Sequence, residues 1–232
     1  MQYFIFLLIF CFFVFLFTLF GLSKDDFVLF RKNVDTEKIF NTAFMVGIWG
    51  LFCARLFFVI LNFRPIYLNL LAFVLFPYFP GLSLPGGLLG GSILLIFLLK
   101  GKKYPEGRIF DFFIASFLGA LCIGAIILFG IDFYFTKKIP LFIGFQAIIS
   151  FVLFLIAFRA TQNQSIKEGS NGLMSIILLS VFFIASLLVE RPYVWIHIGK
   201  ESSLWIVNLL VAFIFLLKQD SLFAFFRLIR GK

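Results

Sequence analysis

Charge is scarce in this sequence. Of its 232 residues 13% are charged, and histidine occurs once. A soluble domain carries about 25% charged residues, so a water-facing surface of ordinary composition is excluded. The sequence has no C-x-x-C pair and no cluster with metal-ligand spacing, and Cys11, Cys53 and Cys122 all lie inside apolar runs. They read as small buried hydrophobes, with a thiol nucleophile as the alternative. No phosphate-cradling P-loop and no serine-hydrolase elbow occurs. No basic stripe interleaves with aromatics on a soluble face, so nucleic acid is not the partner that the net charge of +9 first brings to mind. The N-terminus lacks both a basic n-region and an A-x-A site, so the apolar run from Tyr3 to Leu22 reads as a retained helix and not as a signal peptide.

What is abundant is hydrocarbon. Hydrophobic residues make up 62% of the chain and 39 residues are phenylalanine, too many to hide in one globule of this size. The solvent for most of that surface is lipid. Alternating ten-residue strands are absent, which leaves an all-α, polytopic membrane helix bundle forming one integral domain over residues 1–232. Crossing roughly 30 Å of hydrocarbon takes about 20 apolar residues. Seven spans satisfy this, near 2–22, 39–62, 82–99, 109–131, 140–158, 171–189 and 203–217. Between the second and third lies "NFRPIYLNLLAFVLFPYFPG", whose apolar centre is short and punctuated by Pro65, Pro77 and Pro80. It reads as an interfacial or re-entrant segment.

Loop charges give an orientation. The loops 23–38, 100–108 and 159–170, with the C-terminal tail, carry 14 Lys and Arg residues, against 5 on the other side. The positive-inside rule then places the N-terminus outside and the C-terminus in the cytoplasm. The loop "SKDDFVLFRKNVDTEK" mixes four basic and four acidic residues and reads as a short solvated connector.

A few residues break the apolar pattern. "LSLPGGLLGGS", residues 82–92, holds the pairs Gly86/Gly90 and Gly87/Gly91, and the next span repeats the device with Ala115/Gly119 and Ala120/Gly124. This spacing predicts tight packing of the third and fourth spans. The alternative is that Pro85-Gly86-Gly87 opens a helix whose free N–H groups meet an anionic head group. Arg55, with about seven apolar residues on either side, is costly at that depth and points to the bundle interior or a wet cavity, where it would bind phosphate or a carboxylate. Asp111 at the start of the fourth span reads as compensation of its own helix dipole or as a functional acid. Glu190 and Arg191 end the sixth span as an interfacial pair or as the lining of a polar pocket. His197 sits beside Tyr193 and Trp195 in an aromatic interface belt, as a structural residue or a base.

Three stretches together resemble the prolipoprotein diacylglyceryl transferase family. "CARLFFV" at 53–59 is similar to its G-A-R-L-G-Y-V segment. "GLSLPGGLLGGSILLIFLL" is similar to its G-x-S-F-H-G-G-L-x-G segment. "GRIFDFFIASFLGALCIGAIILFG" is similar to the segment that ends in its G-R-I-G-N-F signature. "GLMSIILLSVFFIASLLVER" is a weaker match to a late arginine- and glutamate-bearing segment. The likeness runs from about residue 20 to residue 217. It implies a multi-pass enzyme of the bacterial plasma membrane. Such an enzyme transfers diacylglyceryl from phosphatidylglycerol to the lipobox cysteine of a secreted lipoprotein precursor, with no cofactor and no metal. It further implies lipid binding by Arg55, Ser83, Gly86 and Gly87; Glu190, Arg191 and His197 are the candidates in this sequence to supply acid–base or charge functions in catalysis. The family's histidine before the paired glycines is Pro85 here, its signature arginine and asparagine are Ala125 and Leu128, and a late arginine is Ser186. A non-catalytic membrane protein of the same fold, binding lipid or precursor, therefore stands beside the transferase. A small transporter using the glycine-rich segments is a third reading.

Overall fold

In lipid, a chain can satisfy its backbone only by closing hydrogen bonds internally, as helices or closed barrels do. Every regular element among the described residues is a helix. In the computed structural model the described residues are 2–24, 26–63, 81–137, 141–163, 167–190 and 200–218; the side chains of 2–4, 136, 163, 187–190 and 200 are not among them. The helices are α1 (Gln2–Ser23), α2 (Phe27–Arg31), α3 (Thr36–Leu61), α4 (Leu84–Lys102), α5 (Glu106–Thr136), α6 (Leu141–Asn163), α7 (Ser170–Glu190) and α8 (Lys200–Lys218). Six of them, α1, α3, α4, α5, α6 and α8, are long and apolar enough to cross a membrane. The sixth predicted span is α7, whose apolar stretch runs Ser170–Ser186. The segment expected to be interfacial lies, from residue 64 to residue 80, outside the described residues.

Local chemistry sets the helix ends. Ser83 caps α4: its Oγ accepts from the N–H of Gly86 at 3.4 Å, with proline in the first turn where a missing N–H is harmless. Lys103 ends the same helix in the left-handed conformation at φ 54°. α5 is longer than the predicted span because it begins directly after Pro105 and continues to Thr136.

α5 is the hub. It packs against α1, α6 and α7, and more lightly against α4, while α3 pairs with α4 and α7 with α8. Its small residues face these neighbours: a Cβ at Gly119 would touch Phe154 of α6 and Thr18 of α1, and one at Gly124 would meet Cys11 of α1. Buried apolar residues from all eight helices join in one core cluster. The outer faces stay greasy. Phe6, Phe10, Phe13 and Phe17 of α1 are between 50% and 78% exposed, as lipid-facing side chains are. The protein is a polytopic membrane helix bundle.

The connector between the first two spans is more than a solvated loop. It contains α2, whose Leu29 is buried, and Asp26 and Val34 beside it are buried too.

Candidate functional site

The glycines of α4 lie against α3, not against the following span as spacing alone predicted. A Cβ on Gly87 would stand 3.1 Å from the Cβ of Ala54 and 3.2 Å from the carbonyl of Gly50. One on Gly90 would collide with the Cβ and Sγ of Cys53, and one on Gly86 would come to 2.7 Å from Phe57. Small residues on both helices let the two backbones approach closely. The pairing partner was not legible because helical spacing fixes which residues share a face, not which helix that face meets.

Beside this seam lies a cavity of about 510 Å³, walled by α1, α3, α4 and α5 with one residue of α6. Its size falls in the range of about 300–1,000 Å³ usual for small-ligand pockets. The lining is apolar except for the side chains of Ser83, Ser92, Gln146 and the Cys11 thiol, and no charged side chain among the described residues takes part. Gly87 and Gly91 form part of one wall and Ala125 and Leu128 part of another. Such a chamber suits hydrocarbon and, at most, neutral polar groups. A bare anion inside it would lack a counter-charge from the described walls.

Arg55 lies next to the cavity wall, one residue beyond Ala54. Its side chain is buried, at 3% exposure. Its Nη1 donates to the carbonyl of Gly81 at 2.8 Å, and the guanidinium stands 5.7 Å from the ring centre of Phe58. Gly81 has φ +146°, and a Cβ there would strike the Phe58 ring, so only glycine fits. The N–H of Ser83 donates to the carbonyl of Ala54 at 3.0 Å. Arg55, Ser83, Gly86 and Gly87 thus come together at one place, the junction of α3 with the start of α4.

A residue that sequence reasoning passed over completes this junction. Asn208 of α8 is buried, and its Nδ2 donates to the carbonyl of Pro85 at 3.0 Å as well as to that of Leu204 at 3.1 Å. The available signal was its type: an amide in the middle of an otherwise apolar span. Glu190 is the last residue of α7, with its side chain outside the described residues, and Arg191 and His197 lie outside them altogether.

Asp111 serves a helix other than its own. It is buried, and its two oxygens accept from the N–H groups of Gly169 at 2.8 Å and Gly172 at 2.6 Å. It therefore caps the start of α7, a helix other than its own. Nearby, Arg108 donates through Nε and Nη2 to Oδ2 of Asp26 at 2.9 and 2.7 Å, while Oδ1 of Asp26 accepts from the N–H of Leu29 at 3.0 Å. The pair is buried on both sides. These groups stand at the end of α4 and α5 away from Ser83, and they serve packing.

No family model matches the chain, and no solved structure matches it. A stretch of 106 residues is 30% identical to the phosphatidylglycerol–prolipoprotein diacylglyceryl transferase of Fusobacterium nucleatum. The match covers 46% of this chain and 36% of that protein, so it spans little more than a third of the relative's length.

Proposed function

We propose that this chain handles a diacylglyceryl lipid in the membrane, as a transferase of the kind its relative is named for. In that reading the cavity receives the acyl chains of phosphatidylglycerol, and Arg55 and Ser83 orient the head group at the junction of α3 and α4. A base, Glu190 or His197, takes the proton of a lipobox cysteine. The thiolate attacks the terminal glycerol carbon of the diacylglyceryl group, a C–S bond forms, the C–O bond to phosphate breaks, and glycerol phosphate leaves with the electron pair. Arg191 offsets its charge. The loop charges put the start of α4 at the outer leaflet, where secreted precursors arrive.

The observation that carries the reading is convergence. The stretches 82–100 and 107–130, together with Ala54 from the stretch 53–59, line one cavity, and Arg55 stands beside it. The test is expression of the chain in bacteria depleted of their own diacylglyceryl transferase, with thioether lipid on a reporter lipoprotein as readout. Lipidation is expected, and it is lost in Arg55→Ala and in the cavity-filling Ala125→Leu. A well-inserted protein that yields no thioether lipid refutes the transferase reading.

A second reading rests on a specific observation. Ala125 and Leu128, the positions aligned with the family's arginine and asparagine, line the cavity and leave it uncharged. A protein that binds lipid or precursor without chemistry fits that wall. Phosphatidylglycerol retained by the purified protein, with no reporter lipidation, would identify it.

A further inference from the structure

The short helix α2 belongs to neither the cavity nor the seam, and its surface is unusual. Phe27 and Phe30, three residues apart and so on one helical face, are 70% and 80% exposed. Between them Leu29 is 2% exposed and plugs the core. The segment is firmly held: Asp26 caps the helix through the N–H of Leu29 and is itself gripped by the buried Arg108. A rigid mount that presents two phenylalanines outward is no chance fraying of a loop.

Position tells what those rings meet. The lipid-facing ladder of α1 runs through Phe13, Phe17 and Phe20, and α2 follows within four residues of that helix's end at Ser23. The two rings therefore continue the lipid face at the depth where hydrocarbon gives way to head groups. Around them basic residues outnumber acidic ones. Lys24, Arg31 and Lys32 are exposed, as are Lys100, Lys102 and Lys103 at the end of α4. Of the four acids in this connector, Asp26 is held by Arg108 and Asp35 is paired with Lys38 at 3.1 Å. Glu37 is exposed and Asp25 lies outside the described residues, so Lys24, Arg31 and Lys32 with the three lysines at the end of α4 still outnumber the remaining acids. Exposed aromatic rings flanked by basic residues are the composition of an interfacial anchor, and anionic lipid is the complement of its charge.

We propose that α2 is a membrane-surface anchor. Phe27 and Phe30 sit among the upper acyl chains, and Lys24, Arg31 and Lys32 hold the head groups of anionic phospholipids. The anchor is independent of the transferase reading, because it uses no residue of the cavity.

The test uses the full chain in nanodiscs of phosphatidylcholine, with and without phosphatidylglycerol. A Phe30→Cys variant carrying an environment-sensitive fluorophore is expected to be quenched by lipids brominated high on the acyl chain and shielded from aqueous iodide. Native mass spectrometry then counts retained phosphatidylglycerol. Arg31→Gln and Lys32→Gln are each expected to lower its preference over phosphatidylcholine about fivefold. Lys137→Gln, at the other end of α5, is expected to leave it unchanged. Iodide quenching without lipid quenching would overturn the anchor and point instead to an acidic soluble partner. An equal loss of phosphatidylglycerol on Lys137→Gln would overturn the head-group site.

Discussion

The two ends of α4 handle the difficulty of polar groups in lipid in opposite ways. Where α4 runs into α5, charges are buried and each meets a partner: Arg108 meets Asp26, and Asp111 meets two backbone N–H groups of the turn into α7. Where α4 begins, side chains have been removed instead. Glycines bring two backbones together, Arg55 donates to a carbonyl, and a cavity remains. The first end gains rigidity from charge-assisted hydrogen bonds, which are the strong ones. The second gains proximity and empty volume. A protein that must bind something within the membrane needs both: a fixed end to hold the helices and an end that leaves room.

Breaking the fixed end is expected to have the largest effect. Asp26→Ala leaves Arg108 buried without its counter-charge and removes the cap of α2, which costs about 3–5 kcal/mol. Thermal unfolding in a single detergent measures it, and a double replacement of Asp26 and Arg108 by leucine is expected to recover much of the loss. Asp111→Asn keeps one acceptor but presents an amide hydrogen to the second N–H. It is expected to cost about 1.5–3 kcal/mol, with the loss of hydrogen-exchange protection confined to the start of α7. The open end gives the finest contrast. Gly90→Ala drives a methyl into Cys53 and is expected to cost about 1–3 kcal/mol by overpacking. Gly91→Ala, whose Cβ would stand 3.7 Å from Val46, meets only ordinary contact and is expected to leave stability within about 0.5 kcal/mol. Equal melting temperatures for the two alanine variants would contradict the packing described for the seam.

Hydropathy made the helices legible, because lipid allows so few alternatives. It also placed Arg55 in the interior and drew Ser83 and the glycines into one stretch. What escaped was every contact between distant parts of the chain. Asp111 reaches Gly169 and Gly172 across 58 and 61 residues, and Arg108 reaches Asp26 across 82. An aspartate in a first helical turn carries the same local signature whether it serves its own helix or a neighbour. Likewise, a loop rich in charge reads as solvated until one of its acids is found gripped by a buried arginine. The glycine seam was recognised as a seam, but its partner was misassigned to the following helix, since periodicity carries no information about neighbours.

The hydrogen bond from Asn208 to the carbonyl of Pro85 joins residues 123 positions apart. During synthesis the first turn of α4 is made long before α8 exists. The start of that helix is capped by Ser83 and seated on α3, but the Pro85 carbonyl lacks the Asn208 amide until the final described span enters the bilayer. The junction beside the cavity is therefore completed only after α8 has entered, so any competence that depends on this bond arrives late in insertion.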